Sequence, residues 1–226
     1  MNESSAKLHV NKLAAAQRQL RAAVRMFFAC EDELAIHTVA SAAYSILSDL
    51  KAARGQDEVG DYHLTSIFYA VRDYRRGTLP TYLSEDQEIM KCIRELAEQL
   101  PIDASTNIKE ITATVPSDVA KKFRQKRNKV ANFLKHANRD AQSHVALNDV
   151  DNLQLLMQAL SAYIDLKSDD LGAEGLVFWL YFSVTSGIKE GLPQKFQQVA
   201  AKLEAIGSIE RLKLCSVMVR EINETS

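Results

Sequence analysis

The chain has 226 residues, 28 Lys+Arg against 29 Asp+Glu, a net charge of −1, 46% hydrophobic and 25% charged residues. This is the composition of a globular chain with ample material for a buried core. Only 8 Gly and 4 Pro argue against a sandwich or barrel, which spends both on frequent turns, and against long disordered tails.

Residues 6–29 place Leu13, Leu20, Val24, Phe27 and Phe28 at helical spacing. The acids of Cys30-Glu31-Asp32-Glu33 break that pattern and suit the positive N-terminus of a second helix. That helix, 34–54, carries Ile36, Val39, Ala43, Ile46, Leu47 and Leu50 on one face, and Gly55 is placed to end it as a left-handed cap. A third helix, 61–76, has Leu64, Ile67, Phe68, Val71 and Tyr74 on one side and stops at Gly77 and Pro80. Ser84-Glu85-Asp86-Gln87 matches a capping box and predicts a helix through Ile89, Ile93, Leu96 and Leu100, closed by Pro101. Residues 102–116 hold no sustained period and read as a long connection or an inserted short strand. Pro116-Ser117-Asp118 then restarts a helix that runs to about Ala141.

Residues 150–167 form another amphipathic helix through Leu153, Leu156, Met157, Leu160 and Ile164, with Asp149 as its cap. Residues 171–187 are apolar on nearly all sides, which suits a central helix whose Phe178, Trp179, Tyr181 and Phe182 pack into the core. Pro193 suits the first turn of a helix holding Phe196, Val199, Leu203 and Ile206. Gly207-Ser208 separates it from a last helix, 209–223, and the pair reads as a packed αα-hairpin rather than a helix-turn-helix. The expected fold is all-α: a single domain over 1–226, an irregular bundle of about eight helices, with 171–187 among its most buried residues.

Cys30, Cys92 and Cys215 lie far apart with no CxxC spacing, so neither a disulfide framework nor a zinc knuckle is expected. Buried reduced thiols in a cytoplasmic protein are the simplest reading. The N-terminus lacks an apolar signal core, and the most apolar run, Leu176 to Val184, is about half a membrane span in length. No Walker loop, dinucleotide fingerprint or nucleophile elbow occurs. No paired Glu-x-x-His motif supports a diiron bundle; Glu33 and His37 are one residue too far apart. No metal or cofactor is expected, and no membrane partner.

One segment stands apart. Lys121, Lys122, Arg124, Lys126, Arg127, Lys129, Lys135 and Arg139 put eight cations and no acid into residues 119–139. Subtracted from a chain of net charge −1, they leave the remainder near −9. Such a segment repels itself and calls for an anionic partner. At about 100° per residue, Phe123, Val130, Phe133, Leu134, Ala137 and Ala141 share one sector, the buried stripe. Asn132, His136 and Arg139 fall on the opposite side, with Gln125 and Lys129 beside them. A neutral imidazole can take a proton from a ribose 2′-hydroxyl, and a guanidinium can stabilise a developing oxyphosphorane. His136, Arg139 and Asn132 are therefore the candidate catalytic constellation of a metal-independent ribonuclease. Lys121, Lys122, Arg124, Lys129 and Lys135 are the candidate anion-binding residues. The simpler reading of the same face is a solvated surface, or one that docks on an acidic surface of this protein or of a second copy of the chain.

The run Asn132-Phe-Leu-Lys-His136-Ala-Asn-Arg139-Asp140 resembles the NFxKHAxRD signature of an uncharacterised family of bacterial all-helical proteins, and Ile36-His37-Thr-Val-Ala-Ser-Ala-Ala43 resembles that family's second helix. The resemblance covers a small part of the chain and implies a bacterial, cytoplasmic, all-α protein rather than an activity. A more distant similarity is to HEPN domains, helical bundles, often dimeric, of toxin–antitoxin and antiviral ribonucleases. Their signature is an Arg, usually followed by a polar residue such as Asn, with four to six residues from the Arg to a His. Here Arg127-Asn128 precedes His136 with eight residues intervening after Arg127, which turns the two side chains to opposite sides of a straight helix. Arg139 or Lys129 would have to take the arginine's role.

The leading functional expectation is an interaction or regulatory module of HEPN-like type, a candidate homodimer whose basic helix meets an anionic partner, RNA or an acidic protein. The alternative is a non-enzymatic bundle that binds a small ligand or a protein and has no nucleic-acid role. His37 is expected in an ion pair or interhelical hydrogen bond, or in a pocket shared with His136 if their helices are neighbours.

Overall fold

The computed structural model describes residues 9–55, 58–79, 81–85, 87–106, 125, 128–136, 138, 141–167, 172–187 and 192–225. Polar residues at the helix starts do what their chemistry predicts. Asn11 opens α1 (Lys12–Phe28) by accepting the Ala14 N–H at 2.8 Å. Asp32 opens α2 (Glu33–Ala52) by accepting from Leu34 and Ala35 at 3.0 Å each. Both satisfy donors that a first turn leaves orphaned. Between them the chain reverses in a Schellman turn: the Glu31 N–H reaches the Met26 carbonyl and the Cys30 N–H the Phe27 carbonyl, each at 3.1 Å. That turn needs a left-handed residue, and Cys30 supplies it at φ 54°. Gly55 follows α2 at φ 74°, the cap its position predicts.

The chain continues through α3 (Glu58–Arg76), α4 (Thr81–Ser84) and α5 (Gln87–Gln99). Residues 128–135 are helical and form α6. After a 3₁₀ turn at Leu147–Asp149 come α7 (Asn152–Leu166), α8 (Ala173–Thr185), α9 (Gln194–Glu204) and α10 (Ser208–Thr225). There is no strand among the described residues, so the all-α expectation is met. The helix predicted from the Ser84 capping box begins later than its position implies. Ser84 ends the four-residue α4, and α5 starts at Gln87, two residues late.

Side-chain pairs fix how the helices run. α2 and α7 are parallel, tied by His37–Asn152 near their starts and by Lys51–Asp165 near their ends. α1 and α8 are also parallel: Arg21 meets Glu174, and Phe28 meets Tyr181 edge-on with ring centroids 5.5 Å apart. α10 runs antiparallel to both, with Asn223 beside Glu174 and Arg21, and Arg211 beside Thr185. Between them lies one apolar cluster that includes Leu20, Val24 and Phe28 of α1, Leu47 of α2, Leu156, Leu160 and Tyr163 of α7, Phe178 and Leu180 of α8, Leu203 of α9 and Val219 of α10. Each fully enclosed Leu or Phe stabilises the fold by about 1.5–3 kcal/mol. Nine of the 13 residues of α8 are buried, which makes it the central helix as its all-round apolarity predicts.

Residues between α2 and α7 build a second, smaller cluster. Phe68 and Val71 of α3 pack with Ala97 of α5 and with Ile102. The Arg72 guanidinium covers the Tyr69 ring at 4.7 Å and donates to Asp73. Beyond α5, Asp103 Oδ1 accepts from the N–H and hydroxyl of both Ser105 and Thr106. These bonds, those of Ser105 first, pull its carboxyl down to about 2. Residues 107–116, the rest of the irregular stretch, lie outside the described residues, as does the side chain of Leu64.

Candidate functional site

The basic segment enters the description at its C-terminal half. In α6, Val130 and Ala131 are buried and Phe133 and Leu134 half-buried, while Lys129, Asn132 and Lys135 are exposed. The helical period thus docks apolar side chains and leaves polar ones outward. Lys129 Nζ reaches Asp149 Oδ2 at 2.7 Å, tying α6 to the 3₁₀ turn before α7. Both side chains are exposed, so the pair contributes at most about 1 kcal/mol. It also gives one candidate anion-binding cation an internal partner. Asp149 is therefore not the cap of α7. Asp151 is, accepting the Gln154 N–H at 2.9 Å.

His136 is half-buried and closes the helix, its backbone N–H donating to the Asn132 carbonyl at 3.0 Å. Asn138 and Ala141 lie in turns, and Ala141 is exposed. The helix expected to reach about 141 stops at 135. The residues that would prolong its stripe are alanines, with too little apolar area to hold another turn against solvent. Of the catalytic candidates, Asn132 and His136 are one turn apart, and Arg139 lies outside the described residues. So do Lys121, Lys122 and Arg124, together with Lys126, Arg127, Phe123 and Ala137.

His37 of α2 packs against the start of α7, and the charges of Asp151 and Lys135 both act on it. Its imidazole is buried, and its Nδ1 lies 3.1 Å from Asn152 Oδ1. Asn152 donates its amide to the Glu33 carbonyl at 2.9 Å, so its oxygen is the atom that faces His37. The proton of neutral His37 therefore sits on Nδ1, and Nε2 holds a bare lone pair. That nitrogen and the hydroxyl oxygen of Ser41, one turn on, are buried with no hydrogen-bond partner among the described residues. Burial pushes the His37 pKa down; the Asn152 bond and Asp151 oppose this, and Lys135 adds to it. The net effect is an imidazole held neutral inside the bundle. His37 makes the interhelical hydrogen bond expected of it and is buried.

A second polar centre escaped the sequence reading. Glu174 of α8 is fully buried and takes Arg21 Nε on one oxygen at 2.9 Å. Its other oxygen takes Arg25 Nη1 at 2.5 Å and the Asn223 amide at 3.2 Å. Arg21 also donates to Asn223 Oδ1 at 3.3 Å, which closes the network across α1, α8 and α10. Burial alone would raise the carboxyl's pKa. The Glu174 backbone N–H and the two guanidiniums outweigh that and hold it below the ordinary carboxylate value. The signal was present: Glu174 is the sole charged residue of α8, and Arg21 and Arg25 stand one turn apart on α1.

The three thiols are not all buried, contrary to expectation. Cys215 is buried, and desolvation pushes it up to about 12, an inert group. Cys30 and Cys92 are exposed: one sits at the turn after α1, the other on α5 beside the inward-facing Ile93. Among the described residues no group of His, Cys, Asp and Glu is arranged to hold a metal ion, and no helix is long and apolar enough to cross a membrane. Set beside known proteins, the chain matches no family model, no curated sequence and no solved structure.

Proposed function

We propose that the protein is an interaction module of HEPN-like type whose basic segment, 119–139, meets RNA. One observation carries this reading. Eight cations without an acid occupy that segment, and where it is described it lies apolar side inward with Lys129, Asn132 and Lys135 exposed. Charge concentrated at a surface is repaid by phosphate neutralisation and counterion release.

The test is fluorescence anisotropy of a labelled single-stranded RNA with the full chain across a salt series. Four phosphate contacts give a log–log slope of about −3, a fall in affinity of roughly fiftyfold between 50 and 200 mM salt. Lys135→Glu shallows that slope. Absence of binding at 50 mM salt overturns the reading. Dimerisation in its place, lost in Lys135→Glu by sedimentation, assigns the segment to a protein partner. Catalysis is a narrower claim: RNA cleavage by the purified chain must vanish in His136→Ala while RNA binding persists.

A further inference from the structure

A cleft of about 440 Å³ opens between the C-terminal half of α1 and the second half of α10, far along the chain from the basic segment. Its lining combines an apolar floor, Phe28 and Val219, with Arg25 from one helix and Arg220 from the other. Ser216 and Asn223 add a hydroxyl and an amide, and Glu224 also lines it. We propose that this cleft binds a small amphiphilic anion, a carboxylate or sulfonate on an apolar body.

Size comes first: the volume falls within the range of small-ligand pockets, about 300–1,000 Å³. Charge is the second argument. Arg21 and Arg25 share the single carboxylate of Glu174, so one positive charge there is uncompensated. Arg220 has no ion pair among the described residues, and Glu224 offsets one charge. Counting Arg21, Arg25 and Arg220 against Glu174 and Glu224, the cleft and its wall are net positive by one. In a bundle whose remainder outside 119–139 is near −9, that is a local inversion of sign.

Pre-ordering is the third argument. Glu174 is fully buried and grips Arg25 by Nη1 alone, so the guanidinium is held in place with other N–H donors to offer. A ligand anion then meets a donor whose ordering cost is already met within the fold. Phe28 and Val219 line the floor of the cleft, so the ligand's body meets apolar atoms there. A neutral ligand would leave the guanidiniums' excess charge unanswered, and a cation would be repelled.

The probe is 8-anilinonaphthalene-1-sulfonate, an anion on an aromatic body, titrated by fluorescence into the full chain at pH 7 and displaced with decanoate. Saturable one-to-one binding is expected, with displacement by decanoate and not by decanol. Arg220→Ala weakens it about tenfold, the usual worth of one charge-assisted contact. Ser216→Phe, which fills the cleft, lowers it at least thirtyfold. Lys135→Glu, in the other candidate site, leaves it unchanged, so failure here and failure of the RNA reading are separable. Circular dichroism melts check that each variant is folded, and Arg220 is exposed, so its substitution leaves the core intact. Unsaturable binding, or binding that survives both Arg220→Ala and Ser216→Phe, overturns the proposal.

Discussion

Glu174→Gln tests the central polar network most directly. Glutamine keeps the shape of the side chain, and its one oxygen can still accept from one guanidinium. Its NH₂ then points at donors, among them the second guanidinium or the Asn223 amide, where the carboxylate accepted from all three. Breaking a buried ion pair costs about 3–5 kcal/mol when the orphaned partner stays buried. Here the arginine side chains are 37% and 50% exposed. The released cations rehydrate, and the expected loss is about 2 kcal/mol, close to one charged hydrogen bond. For a chain of this size that lowers Tm by about 4–8 °C. The variant also carries a pH signature. A carboxylate whose folded pKa lies below its unfolded one stabilises fully above the unfolded value, and that contribution disappears as pH falls through the folded value. The gap between wild type and Glu174→Gln, measured by urea unfolding, must therefore narrow from pH 7 into acid. A loss under about 0.5 kcal/mol at unchanged m-value, or a gap that does not narrow, refutes the reasoning.

Cys30→Gly relieves a left-handed residue that costs about 1–2 kcal/mol, less the greater freedom glycine has when unfolded. The net is a gain of about 0.5–1 kcal/mol in urea midpoint stability, and any loss means that Cys30 makes contacts worth more than its strain. His37, with its lowered pKa, contributes fully above about pH 6.5, and its contribution is lost as pH falls from there through the folded value. Wild type should thus lose stability between pH 7.5 and 5.5 that the non-titrating His37→Asn does not, and parallel slopes would remove buried His37 from the account. Asp32→Ala removes the acceptor of two first-turn N–H groups and costs about 1 kcal/mol by the same assay; a neutral result would make the cap redundant. Leu203→Ala, at a fully enclosed position, costs about 2–5 kcal/mol, and a loss below 1 would place α9 outside the cooperative core.

Periodicity made most of this architecture readable in advance. A helix must bury one face, so Leu20 with Val24, Phe68 with Val71, and Leu156 with Leu160 announce their helices before any coordinates exist, and the unbroken apolarity of 171–187 announces a central one. What periodicity reads is a face, never a partner. It cannot tell that α2 lies parallel to α7, because that follows from a chain path through α3–α6 whose own pattern is weaker. Nor can it tell which end of a polar link supplies a cap: Asp149 and Asp151 are chemically alike, and only the position of Lys129 separates their roles. For the same reason the basic segment drew attention by its charge, while Glu174, a single acid in an apolar helix, drew none. Yet solvation favours the reverse weighting. A solvated lysine costs nothing to keep, whereas a lone carboxylate among Leu, Val, Phe and Trp is tolerable only if cations from other helices come to it. In an all-apolar helix the one charged residue is therefore half of an interhelical contact, and a one-turn pair such as Arg21 and Arg25 on another helix is a natural other half. Read that way, the sequence does constrain the packing of α1 against α8, through the residue that periodicity alone treats as noise.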